Sequence, residues 1–100
     1  MKISVLLATY NQDNYIKGAI ESILQNSYED FELLVLDQSR NDFTKEVIQI
    51  YLKQSSKVKY IKLPFKGKSK ALNYGVNISQ GDIIAITDSD CIVDKDWLEK

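Results

Sequence analysis

Apolar and polar positions follow one another along this chain in blocks. Ile3–Ala8 is a short continuous apolar run, which suits a strand buried on both faces of a parallel sheet. Beyond it, Ile16, Ala19, Ile20, Ile23 and Leu24 recur at the spacing of one helix face and predict a helix from about Asp13 to Gln25. Phe31–Leu36 is a second apolar run and a second strand. Phe43, Val47, Ile50 and Tyr51 predict the buried face of a helix over Asp42–Gln54. Val58–Leu63 alternates apolar residues with lysine, the pattern of a strand at or near a sheet edge, and Pro64 closes it. A third helix is expected over Ser69–Ile78, with Gly81 as its break. Asp82–Thr87, with the apolar run Ile83 to Ile86, reads as a fourth and buried strand, and Lys95–Lys100 begins another helix.

This alternation predicts an α/β fold: a three-layer α/β/α sandwich around a mainly parallel sheet, with right-handed crossovers. In open sheets of that kind, ligands bind beyond the carboxyl ends of the strands. The residues at those ends are Thr9, Tyr10 and Asn11, then Asp37, Gln38 and Ser39, then Asp88, Ser89 and Asp90. One polar strand end is a turn. Three on one rim make a candidate site.

Composition narrows the chemistry. At 100 residues the chain reads as a single domain, 1–100, and 44% hydrophobic against 27% charged residues is ordinary globular usage. There is no histidine, which removes the Ser-His-Asp triad and any Cys/His zinc pattern. Cys91 stands alone, so no disulfide framework is possible; followed by Ile92 and Val93, it is expected as a packed apolar residue. The reducing cytoplasm, including the inner face of the membrane, is the compartment this fits. The opening "MKISVLLATYNQ" is too short an apolar run for a signal peptide or a membrane span, so no membrane segment is expected, and nucleic acid is not an expected partner. Net charge is −1 but uneven: seven lysines from Lys53 to Lys70 fall in a stretch without acids, and six acids follow from Asp82. The lysine block could attract phosphates, or be a solvated face.

Each motif has a plain and a functional interpretation. Asp88 and Asp90, one residue apart at the end of an apolar strand, can share a hard cation such as Mg²⁺ or Mn²⁺ through oxygen ligands; otherwise Asp90 caps a turn and Asp94 or Asp96 caps the last helix. Asp37 can accept a bond from a ribose hydroxyl or a base N–H, or simply bond its own turn. Tyr10 is a stacking face or a surface aromatic. "KGKSKALN", Lys66–Asn73, opens a helix and offers lysines and backbone N–H groups to an anion, or is a solvated loop. Neither a G-x-G-x-x-G nor a P-loop is present, so a metal is needed to neutralise any diphosphate bound here.

The segments "ISVLLATYNQDNYIKGAIESILQNSYEDFELLVLDQS" and "GKSKALNYGVNISQGDIIAITDSDC" resemble the N-terminal half of an inverting family 2 glycosyltransferase of the GT-A fold. The motifs T-Y-N, D-x-S, G-K-x-x-A-L-N and G-D-I-I…D-x-D occur in the order that family uses, over essentially the whole chain. The resemblance implies strand order 3-2-1-4 and a nucleotide-sugar site. Thr9 and Tyr10 would line the base, Asn11 would support that loop, and Asp37 and Gln38 would hold base or ribose. Lys68 would lie near the diphosphate, and Asp88 with Ser89 by the ribose and the metal's water shell. Asp90, with Asp88, would coordinate Mn²⁺ or Mg²⁺. The donor implied is a nucleotide-diphosphate sugar, UDP-sugar favoured, and the acceptor a hydroxyl of a saccharide or lipid-linked molecule in polysaccharide or glycoconjugate synthesis.

Two departures bear on this. Gln38 stands where the family often has an acid, which leaves the choice of nucleotide open, and Leu72 replaces an arginine. The family's domain is commonly about twice this length, so the catalytic base is expected beyond residue 100, and residues 1–100 alone are expected to be inactive. Two rivals stay open at this level: a haloacid-dehalogenase-like phosphatase with Asp88 as nucleophile and Asp90 as acid/base, and a non-enzymatic nucleotide-binding module.

Overall fold

The computed structural model describes residues 1–10, 15–40, 42–88, 92–93 and 97–99. Four strands, β1 (Ile3–Thr9), β2 (Phe31–Asp37), β3 (Val58–Lys62) and β4 (Ile83–Asp88), form one sheet in the order β3-β2-β1-β4. All three pairings are parallel. The connections hold α1 (Ile16–Leu24), α2 (Phe43–Gln54) and α3 (Lys68–Ile78), and a single 3₁₀ turn, Trp97–Glu99, stands where the sequence suggests a final helix. Among the described residues no helix is long and apolar enough to cross a membrane.

The strand period of two divides the core between the faces of the sheet. Ile3, Val5 and Leu7 of β1 and Phe31, Leu33 and Val35 of β2 pack with Ile16, Ile20 and Ile23 of α1 and Ile48 and Tyr51 of α2. The alternate residues Leu6, Leu34 and Leu36 pack with Ala71 of α3 and with Leu63 on the opposite face. The helices therefore lie on both sides of the sheet, as the alternation predicts. Burying a leucine or isoleucine completely stabilises the fold by about 1.5–3 kcal/mol, and nine such side chains are fully buried.

Two expectations need correction. The buried face of α2 is Thr44, Ile48 and Tyr51, not Phe43 and Ile50, which are 55% and 58% exposed. Ile48 and Tyr51 pack into the core with α1 and the sheet, and Thr44 Oγ1 lies 3.5 Å from Ser39 Oγ, which leaves Phe43 and Ile50 on the outer side. The fourth strand is not buried: β4 is a sheet edge, and Ile83, Ile84 and Ile86 are 45%, 36% and 49% exposed. The apolar run marks a strand, but among the described residues nothing lies beyond it in the sheet.

At the amino-terminal rim, the turn from α3 to β4 is fastened to β1 and β2. Glu32 is buried in β2 and accepts bonds from Ser4 Oγ (2.5 Å), Gln80 N (2.7 Å) and Lys59 Nζ (3.0 Å). Gly81 N donates to Ser4 Oγ at 2.7 Å. A Cβ on Gly81 would lie 2.6 Å from Ser4 N and 2.9 Å from the carbonyl carbon of Ile3. Those are backbone atoms of β1 and cannot swing aside. Gly81→Ala is therefore expected to destabilise the fold by about 2 kcal/mol or more, the cost of overpacking a closed site. A urea-denaturation midpoint equal to wild type would contradict this close approach.

Candidate functional site

Because every strand is parallel, all the carboxyl ends face one rim. Register places Thr9 of β1 opposite Asp37 of β2, Asp37 opposite Lys62 of β3, and Ala8 opposite Asp88 of β4. Three of the strand ends singled out in the sequence thus meet across adjacent strands. The next residues continue the junction: Gln38 N donates to Thr9 O at 2.9 Å, and Leu63 N to Asp37 O at 2.7 Å. Asn11, Ser89, Asp90 and Cys91 lie outside the described residues. Of Asp88 only the strand position is described.

Asp37 is fully buried and closely held. Its Oδ1 accepts the backbone N–H of Ser39 at 2.9 Å, the turn bond that an aspartate at a strand end makes for itself. Its Oδ2 accepts the Tyr60 hydroxyl at 2.6 Å, and Lys62 Nζ stands 3.7 Å from the same oxygen and 4.0 Å from Asp42. Burial, the bond to Asp37 and the charges of Asp37 and Asp42 hold the Tyr60 phenol above the usual tyrosine range, so it stays a donor. Neither Tyr60 nor Lys62 is distinguishable as a site residue in the sequence. The alternating Lys/apolar pattern marks β3 as an edge strand, and only the register Asp37↔Lys62 shows what those side chains do. Tyr60→Phe removes a bond to a buried charged group and is expected to cost about 1.5–3 kcal/mol. A thermal melt unchanged from wild type would exclude that role.

Thr9 is 3% exposed, and among the described residues its buried Oγ1 has no hydrogen-bond partner. Unpaired hydroxyls in a fold's interior are rare and costly, so this one stands out at the end of β1. Tyr10 beside it is 39% exposed, and the Lys66 ammonium lies 5.2 Å from its ring centroid. Lys68 is the first residue of α3 and is exposed. Gln38 is buried, and its carboxamide donates to Phe65 O and Gly67 O. A cavity of about 450 Å³ opens between the ends of β2 and β3, lined in part by Gln38, Ser39, Arg40, Lys62 and Lys66. Leu63, Pro64 and Phe65 complete its wall, so the lining is apolar with a few cationic side chains at its edge.

Comparison with known proteins decides what this rim belongs to. Residues 4–100 match the family "Glycosyl transferase family 2". The chain belongs to that family. Among curated members it is 29% identical over 98 residues to glycosyltransferase GlyA of Streptococcus pneumoniae, covering 98% of this chain and 14% of that protein. Among solved structures, S. aureus TarS 1–349 in complex with UDP-GlcNAc superposes with a TM-score of 0.89 at 27% identity, over 99% of this chain and 29% of that one. The mannosyltransferase PcManGT of Pyrobaculum calidifontis, in complex with GDP-Man and Mn²⁺, gives 0.80 at 25% identity over 88% of this chain and 27% of its own. This family 2 chain thus spans well under half the length of these relatives. Its four parallel strands in the order 3-2-1-4, with their helices, are those of the GT-A glycosyltransferases.

Proposed function

We propose that this chain is the donor-binding portion of an inverting glycosyltransferase. It would take a sugar from a nucleotide-diphosphate donor, UDP-sugar favoured, for transfer to an acceptor hydroxyl on a saccharide or lipid-linked molecule. The observation that carries this reading is the meeting of Thr9, Asp37 and Asp88 at the carboxyl ends of three adjacent parallel strands in a family 2 chain. The unpartnered Thr9 hydroxyl supports it, since an edge of a bound nucleotide can satisfy that group. The ligands of TarS and PcManGT support the class of donor.

In this reading Tyr10 and Thr9 flank the base, and Asp37 accepts from base or ribose while Tyr60 and Ser39 N keep its carboxylate from turning away. Lys66 and Lys68 face the phosphates. Asp88 and Asp90 form an oxygen donor set of the kind that fits Mn²⁺ or Mg²⁺, with Ser89 between them. Such an ion, when bound, supplies Lewis-acid neutralisation of a departing diphosphate. The phosphatase alternative loses ground, because its acid pair belongs after the first strand and here follows the fourth.

Calorimetric titration with UDP, GDP and dTDP, each with and without Mn²⁺, tests the reading. Saturable binding of at least one that strengthens with Mn²⁺ is expected. Heats indistinguishable from dilution for all three would refute it.

A further inference from the structure

The structure assigns Gln38 a different task from the base reading that its place in the sequence suggests: we infer that it positions the loop carrying Lys66 and Lys68. Its Nε2 donates to Phe65 O at 2.9 Å and to Gly67 O at 3.0 Å. Both acceptors are backbone carbonyls, so the orientation of the amide is determined: turned over, its oxygen would face two other oxygens. The two protons of the amide nitrogen are thereby committed within the protein, and no donor is left on that group for a nucleobase.

What the bonds hold is the short segment that leads into α3; Phe65 packs against the Leu6, Leu34, Leu36 and Leu63 cluster, and Gly67 O also accepts the Ala71 N–H at 3.0 Å. Gly67 has φ +113°, a backbone conformation that other residues rarely adopt, and Lys68 begins α3 immediately after it. Lys66 is drawn toward β1 by its contact with the ring of Tyr10. Gln38 ties the same loop to the end of β2. The Gln38 bonds thus add a polar tie to the packing of Phe65, and they set the backbone from which Lys66 and Lys68 project. The inference rests on the donor-site reading above for what the lysines face, and on the bonds alone for the clamp.

The clamp is tested first in the ligand-free wild-type chain. The Gln38 side-chain NH₂ should exchange slowly with solvent by NMR, and exchange as fast as that of an exposed glutamine would overturn the proposal. Gln38→Met keeps the length and removes the donors. It should speed backbone amide exchange in residues 65–71 at least tenfold, with β1 and β2 unaffected. It should also lower UDP affinity at least fivefold and uridine affinity by clearly less, because only UDP carries the diphosphate that the lysines face. Gln38→Glu, which aims a carboxylate at two carbonyls, should show the same pattern more strongly. Equal losses for UDP and uridine, or unchanged loop exchange in Gln38→Met, would refute the positioning role. A wild-type chain that binds none of UDP, GDP and dTDP would refute the donor-site reading instead, and the exchange measurements would then decide the clamp alone.

Discussion

Replacing Glu32 with alanine should destabilise this fold by about 3 kcal/mol at neutral pH, the largest single loss expected outside the apolar core. Burial alone would push this carboxyl up. The bonds from Ser4 Oγ, Gln80 N and Lys59, together with the lysine's charge, outweigh that and bring it from 4.5 down to about 2. A drop of that size corresponds to about 3 kcal/mol of preference for the charged form in the folded state. Lys59 is half in solvent, so most of it comes from the two shorter bonds. The sign follows from the lowered value. The contribution is fully present above the unfolded pKa, near 4.5, and is lost as pH falls toward about 2. Urea denaturation at pH 7 should separate wild type from Glu32→Ala clearly, and the gap should narrow at pH 3. A gap that is constant across that range would mean that the charge of Glu32 does nothing for the fold.

The largest effect on ligand binding is expected from Asp90→Asn. If Asp88 and Asp90 hold a divalent ion against a diphosphate, losing a charged ligand brings two sets of negative oxygens together without the cation between them. Nucleoside diphosphate affinity in Mn²⁺ should fall at least roughly tenfold, or about 1.4 kcal/mol. Asp88→Asn should cost less if that residue serves mainly the ribose and the water shell of the ion. Chelating the metal should bring wild type down to the level of Asp90→Asn. Equal, metal-independent affinity in wild type and variant would reduce the acid pair to a cap on a turn.

The strands were legible because each is a local signal: Ile3–Thr9 and Phe31–Asp37 are apolar on both faces, and helices do cover both. Their order rested on the resemblance to a family, since no local pattern states which strand lies beside which. The α2 face was misjudged for a related reason. Ile50 and Phe43 are as apolar as Ile48, and only the tertiary packing of Ile48 and Tyr51 against α1 and the sheet chooses between them. In the site, the strand ends could be found by position, but the company they keep could not. Asp37 shows only as an acid after an apolar run, while Tyr60 and Lys62, 23 and 25 residues further on, reach it through register. The resemblance places Gln38 at the base, and its bonds to the carbonyls of Phe65 and Gly67 leave no trace in the sequence, because backbone acceptors carry no side-chain signature.

The open flank of β4 has a bearing on how this chain behaves in a test tube. Among the described residues no strand lies beyond β4, and an edge that also shows three isoleucines to water is a template for another strand. A net charge of −1 gives little long-range repulsion to keep copies apart. The other edge, β3, carries Lys59 and Lys62, so self-association of residues 1–100 is expected to begin along the six-residue β4 seam. Concentration and ionic strength act on that seam before they act on the fold.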